Sequence, residues 1–160
     1  MEGKAVPEGY HSVNVYLCVD GAARALDFYK AAFGATETMR IDQPDGRIGH
    51  AEIRIGDSTV MLSDEFPEMG ATGPKSLGGS PVMLHVYVAD ADATVAAAVA
   101  AGATLVRPVA DQFYGDRGGL VVDPFGHKWW VATRKEELSA EEIVERAKAN
   151  RGTGSGSPGS

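Results

Sequence analysis

Apolar and polar residues alternate with a period of two from Val13 through Val15, Leu17 and Val19, with Asn14, Tyr16 and Cys18 between them. Such alternation predicts a strand with two unlike faces. Asp20 is then expected to open a helix carrying Ala22, Leu26, Tyr29 and Phe33 at helical spacing, with Gly34 as its stop. A hairpin turn is predicted at Pro44-Asp45-Gly46. It leads into a strand in which Ala51, Ile53 and Ile55 alternate with His50, Glu52 and Arg54, and Gly56-Asp57 turns the chain into Thr59 to Ser63. The plan then returns. Leu84, Val86 and Val88 alternate with Met83, His85 and Tyr87; Asp92 is the expected N-cap of a helix running to Ala101, and Gly102 stops it. Two strands follow around Asp123-Pro124-Phe125-Gly126.

The return is regular enough to mark a duplicated unit. Gly34 precedes Gly102 by 68 positions, and Gly56 precedes Gly126 by 70. Two such units placed side by side can curve into one shared cleft. The chain is read as a first unit over 10–66, a connector over 67–80, a second unit over 81–135, a C-terminal helix over 136–151 and a linker-like, disordered tail over 152–160. Ser139-Ala140-Glu141-Glu142 has the form of a capping box and opens that last helix. The connector is long enough to form part of a lid.

A helix after the first strand of each unit must cover one sheet face, and the Val, Leu and Ile positions belong under it. Parity puts Asn14, Tyr16, Cys18, His50, Glu52, Arg54 and Met61 on the other face of the first unit. It puts Met83, His85, Tyr87 and Trp130 there in the second. Tyr16, Met83, Tyr87 and Trp130 carry too much apolar area for a solvated face and are expected to be buried. For His50, Glu52 and Arg54, lining a cavity and facing solvent are equally good readings. Phe113 and Tyr114, in the loop from Asp111 to Arg117, are expected to cap the cavity.

Composition narrows the partners. The chain has 160 residues, of which 44% are apolar, enough for a core, and 15 basic against 22 acidic residues give a formal charge of −7. That balance speaks against nucleic acid or an anionic membrane as partner. The single cysteine, Cys18, excludes an intramolecular disulfide and a cysteine zinc cage. No signal-like or membrane-spanning apolar run occurs, so the expected location is the cytoplasm. His127 beside the Asp123 turn reads as structural, Asp64 and Glu65 as loop charges, and Cys18 as a small filler. No nucleophile, base and orienting group stand together in the sequence.

Five segments taken in order carry a family resemblance: YLCVDGAARALDFYKAAFGA, PDGRIGHAEIRIGDSTVMLSDE, LGGSPVMLHVYVADADA, DQFYGDRGG and DPFGHKWWVATRKEEL. Together they resemble the vicinal-oxygen-chelate superfamily, the glyoxalase, bleomycin-resistance and extradiol-dioxygenase group, and most of all its PhnB-like branch. The resemblance spans Val13 to Glu137. It implies an α+β fold in which two βαβββ modules form a cup-shaped mixed β-barrel, and homodimers.

In the metal enzymes of that superfamily, the first and last strand of each module supply a His or carboxylate ligand. The matching positions are Asn14, Met61, Met83 and Trp130. None of these is an imidazole or a carboxylate, and thioether and indole do not suit zinc or iron. The resemblance therefore implies a binding protein with no cofactor and no metal. Its cup would be lined by Tyr16, Met83, His85, Tyr87 and Trp130, capped by Phe113 and Tyr114, and oriented toward a flat or partly apolar small molecule by Asn14, His50, Glu52 and Arg54. Sequestration of the drug-resistance kind needs only such affinity. The alternative is a metal-dependent lyase, isomerase or dioxygenase with non-standard ligands such as His50, Glu52 and His85.

Overall fold

The computed structural model describes residues 2–152. The first sheet holds β1 (Val15–Val19), β2 (Thr36–Asp42), β3 (Ile48–Ile55) and β4 (Ser58–Asp64), with helix α1 (Ala22–Phe33) between β1 and β2. A 3-10 turn (Pro67–Met69) and the short α2 (Pro74–Leu77) fill the connector. The second sheet repeats the scheme with β5 (Met83–Tyr87), α3 (Ala91–Ala100), β6 (Thr104–Asp111), β7 (Asp116–Val122) and β8 (Lys128–Arg134), and α4 (Ala140–Gly152) follows. Of the tail expected to be disordered, all but Gly152 lies outside the described residues.

Strand order is β1-β4-β3-β2 in one sheet and β5-β8-β7-β6 in the other. In each unit an antiparallel meander carries the last strand back beside the first, so β1 and β4, and likewise β5 and β8, run parallel. This is the α+β fold of two βαβββ modules that the sequence predicts. The sheets are curved and cup-like. They do not close into a barrel, because no described strand of one pairs with a strand of the other.

The parity argument holds on the helix side. Leu17, Val19, Ala51, Ile53, Val60 and Leu62 of the first sheet join Val121, Trp129 and Val131 of the second in a single buried cluster with α1 and α3. Its aromatic centre spans both modules: Tyr29 packs against Phe125 and Trp129, and the Phe33 ring lies 4.6 Å from that of Trp129. At this junction sits Asp123, 4% exposed. Its carboxylate accepts the Tyr29 hydroxyl at 2.6 Å, the Trp129 indole N–H at 2.9 Å, and the backbone N–H groups of Phe125 and His127. A buried charge is tolerable only when so bonded. His127 adds a ring-nitrogen contact of 3.0 Å to the Cys18 carbonyl, which fits its structural reading.

The helix starts depart from expectation. Asp20 does not cap α1. The chain enters through Gly21 at φ 103°, and Asp64, at the end of β4, accepts the N–H groups of Gly21 and Ala22 at 3.0 and 2.8 Å while its second oxygen takes that of Ile48. In the second module Asp90 rather than Asp92 is the N-cap, accepting from Ala93 N–H. Asp92 lies in the first turn of α3 and pairs with Arg117. Thr133 of β8 also takes part, accepting the Ala91 N–H at 2.9 Å and donating to the Val88 carbonyl. The parallel pairing explains both devices, since it delivers the end of the last strand to the point where the helix begins. The capping box of α4 forms as read, with Glu142 N–H on Ser139 Oγ.

Burial first, and Asp123 second, push the Tyr29 phenol well above its ordinary value, so it stays neutral in the folded protein. The unfolded chain ionises this phenol first as the pH climbs. Stability from this group is therefore complete at neutrality and is lost as pH rises past the ordinary tyrosine value. Tyr29→Phe is expected to lower stability at neutral pH by about 1.5–3 kcal/mol, the usual worth of a hydrogen bond to a charged partner. It should also flatten the alkaline fall. Urea unfolding over a pH series checks both, and an unchanged midpoint at neutral pH would assign the junction to packing alone.

Candidate functional site

Each sheet leaves one face free of helices, and the register fixes what stands there. Tyr16, Met61 and Glu52 lie in one row across β1, β4 and β3. In the second sheet His85, Trp130 and Leu120 form the corresponding row across β5, β8 and β7. Among the described residues, no hydrogen bond, ion pair or ring contact joins the two groups. The predicted lining therefore divides into two sets.

On the first sheet the side chains form a chain of contacts. The Tyr16 hydroxyl meets Nδ1 of His50 at 3.0 Å, and Nε2 of His50 meets the Glu52 carboxylate at 3.1 Å. Glu52 is 6% exposed, whereas half of Tyr16 stays open. Simple solvent-facing pairing, one of the two readings open for His50 and Glu52, does not describe a carboxylate so well covered. Arg54 stands apart, donating to the Asp57 carbonyl. Beside Tyr16 lies a recess of about 410 Å³, lined by Gln43, Gly49, Ser63, Phe66, Met69 and Ala71. Phe66 and Ala71 are bridged to each other, and the Arg47 guanidinium lies 4.1 Å over the Phe66 ring while pairing with Asp45 and Glu68. The connector thus forms one wall of the recess. The Gln43 side-chain amide lies close over Gly49, in the space a Cβ would take, and would have to swing aside for a larger residue.

The second face is built differently. Asp116, 2% exposed, accepts the Tyr87 hydroxyl at 2.8 Å and Arg134 Nε at 2.9 Å, so the Tyr87 phenol is already engaged. The His85 ring lies 4.8 Å from that of Tyr87; burial lowers its imidazole below the ordinary value, against an opposing pull from Asp116. Trp130 is buried, with its indole against Gly118, where a Cβ would come within 2.8 Å of Nε1, and that N–H has no partner. Tyr114 and Phe113 stack edge to face in the β6–β7 turn. The Tyr114 phenol is raised by burial first, and by the charges of Asp116 and Tyr87 next. Met83 and Tyr87, like Tyr16 on the first sheet, remain exposed, contrary to the burial expected for them; Trp130 alone of the four is buried. A second recess at this end is lined by Asp111, Asp116, Arg117, Lys135, Glu136 and Arg146, whose opposite charges largely satisfy one another.

The four positions that match the metal ligands do not make a metal centre. Asn14 precedes β1, and both its amide atoms are engaged by the His11 backbone. Met61, Met83 and Trp130 bring thioethers and an indole, which do not fit zinc or iron. Among the described residues no three His, Cys, Asp or Glu side chains are grouped closely enough to share an ion, so His85 does not join His50 and Glu52 in one.

Sequence reading passed over the recess and the roles of Asp64, Asp116 and Asp123. Asp64 and Asp116 work through partners far along the chain, and Asp123, otherwise bonded within its own turn and to Trp129, takes its link to α1 from Tyr29, 94 residues earlier; no local spacing announces these long-range bonds. Asp116 alone left a trace, since counting back by twos from Leu120 and Gly118 puts it on the open face.

Two curved βαβββ sheets with helix-free polar and aromatic faces define a class. The chain matches the model of the Glyoxalase/Bleomycin resistance protein/Dioxygenase superfamily over residues 10–131, and it belongs to that superfamily. It is 44% identical over 146 residues to the uncharacterized protein Mb0911c of Mycobacterium bovis, covering 89% of this chain and 95% of that one. The X-ray structure of the Arabidopsis thaliana gene product At5g48480 is similar with a TM-score of 0.63 at 30% identity, over 77% of this chain and 98% of that one. TioX from Micromonospora sp. ML1 is similar with a TM-score of 0.59 at 30% identity, over 81% and 100% respectively.

Cys18, on the open face of β1, has its thiol raised by burial first and by the Glu65 and Asp64 charges next. Less thiolate is then present at neutral pH than in a free cysteine. Iodoacetamide is expected to label folded protein at pH 7 more slowly than urea-unfolded protein, with the folded rate climbing only above the ordinary thiol range. Equal rates at pH 7, read by mass spectrometry, would remove the burial effect.

Proposed function

We propose that this protein binds a small, flat and partly apolar molecule on the helix-free faces of its sheets without a metal ion, as a sequestration or resistance protein does. The observation that carries this reading is the pairing of aromatic side chains with ordered polar groups on those faces, beside Asn14, Met61, Met83 and Trp130, the positions that match the metal ligands and offer neither carboxylate nor imidazole. Tyr16, His50, Glu52 and Met61 serve one face. Met83, His85, Tyr87 and Trp130 serve the other, with Phe113 and Tyr114 at its rim and Asn14 at the foot of β1. Aromatic walls give area and stacking, and a few fixed polar groups give orientation.

Exposed Tyr16, Met39, Ile41, Met83, Tyr87 and Leu105 on the two sheets support a homodimer, in which a second copy covers part of this surface. Within the superfamily the sequence segments favour the PhnB-like branch. The free Cys18 suits the cytoplasm, and no described helix is long and apolar enough to cross a membrane.

A thermal-shift screen of planar aromatic compounds, run with and without EDTA, tests the reading. A ligand that raises the melting temperature equally in both conditions is the expected outcome. Stabilisation that disappears with chelator and returns with one divalent metal would overturn the metal-free reading.

A further inference from the structure

Glu52, His50 and Tyr16 stand in the order carboxylate, imidazole, phenol, with links of 3.1 and 3.0 Å. With Glu52 ionised, the imidazole donates its Nε2–H as a hydrogen bond to the carboxylate, and Nδ1 is left to accept from the Tyr16 hydroxyl. Among the described residues no other charged side chain contacts this imidazole. Arg54 is turned to the Asp57 carbonyl, and the Cys18 thiol, raised by burial, is neutral. The hydroxyl spends its proton inward, so its oxygen keeps lone pairs free, and among the described residues it has no second hydrogen-bond partner. Tyr16 also lines the recess, together with the apolar Phe66, Met69 and Ala71.

The geometry points to a proton relay that binds a weak organic acid of the phenol or enol class in this recess as its anion. The inference rests on the small-molecule reading above and specifies the ligand for one of the two faces. The apolar body of the ligand lies against Phe66, Met69 and Ala71, and its hydroxyl meets the Tyr16 oxygen. As the ligand O–H bond breaks, its proton passes to the Tyr16 oxygen while Tyr16 gives its own proton to Nδ1 of His50. The ligand keeps the electron pair as its anion, and the net proton rests on the imidazolium, paired with Glu52. Tyr16 then donates to the ligand oxyanion, a charge-assisted hydrogen bond. Tyr16 is the group that touches the ligand; His50 and Glu52 act through it. The second face offers no equivalent, because Asp116 already holds the Tyr87 proton.

The probe is para-nitrophenol, whose anion absorbs in the visible and whose neutral form does not. At a pH where the free phenol is mostly neutral, the wild-type protein is expected to bind it and display the anion spectrum. Tyr16→Phe and Glu52→Gln are expected to bind the anion about tenfold or more weakly, the scale of one hydrogen bond to a charged group. The probe they do bind should stay neutral. Tyr16→Phe, an exposed substitution, serves as the variant whose folding is safe, and circular dichroism checks Glu52→Gln. A bound but neutral phenol in the wild type would overturn the relay and leave the binding reading standing. Binding with the anion spectrum unchanged in both variants would overturn the assignment of these residues. No binding by the wild type would overturn the recess as a phenol site, whatever the thermal-shift screen returns.

Discussion

The relation between the two halves of this molecule depends on how the Asp123 charge is satisfied. Three of its four hydrogen bonds come from its own turn and from Trp129, but the fourth comes from Tyr29, 94 residues earlier on α1. Removing a carboxylate from water is costly unless its oxygens are filled. The arrangement therefore favours one placement of α1 over the second module, the one that brings the Tyr29 hydroxyl to 2.6 Å. The aromatic packing of Phe33 and Trp129 and the His127 contact to the Cys18 carbonyl follow from that placement. Cys18 sits on β1 beside Tyr16, so a buried carboxylate in the second module helps set where the helix-free face of the first is held.

The two faces share a register but not a chemistry. Tyr16 beside Met61 in the first sheet corresponds to His85 beside Trp130 in the second. Duplication preserved the frame and left the side chains to diverge. In the first sheet a buried acid is reached through an imidazole, leaving a phenol oxygen available. In the second, the buried acid takes a phenol and an arginine directly, and little hydrogen-bonding capacity remains. An unpartnered indole N–H is all that Trp130 adds. The superfamily's usual metal positions carry groups unsuited to zinc or iron in both modules, so polar chemistry falls to residues on neighbouring strand positions.

The fold was legible because alternation is a local signal: Leu17 and Val19, or Ile53 and Ile55, announce a buried face within a few residues. His50 and Glu52 were legible as a pair for the same reason, being two apart on one strand. What alternation does not carry is the distance of a face from solvent, so Tyr16, Met83 and Tyr87 read as buried and are exposed, while Glu52 read as ambiguous and is covered. Caps failed for a related reason. Asp20 stands where a local cap belongs, yet Asp64 reaches α1 from 42 residues away through parallel pairing; α3 does have a local cap, but it is Asp90, two residues before the Asp92 expected. The recess was hidden because half its wall comes from Phe66, Met69 and Ala71 in a connector with no periodic pattern.

That remote capping has a bearing on how the chain acquires its structure. The first turn of α1 exposes backbone N–H groups that only Asp64 satisfies, and Asp64 arrives only after β2, β3 and β4 have been laid down in order. In α3 Thr133 supplements the local Asp90 cap from the same direction, by taking the Ala91 N–H. Helix and meander thus mature together, and a nascent chain released before its fourth strand would hold neither a finished sheet nor a properly started helix.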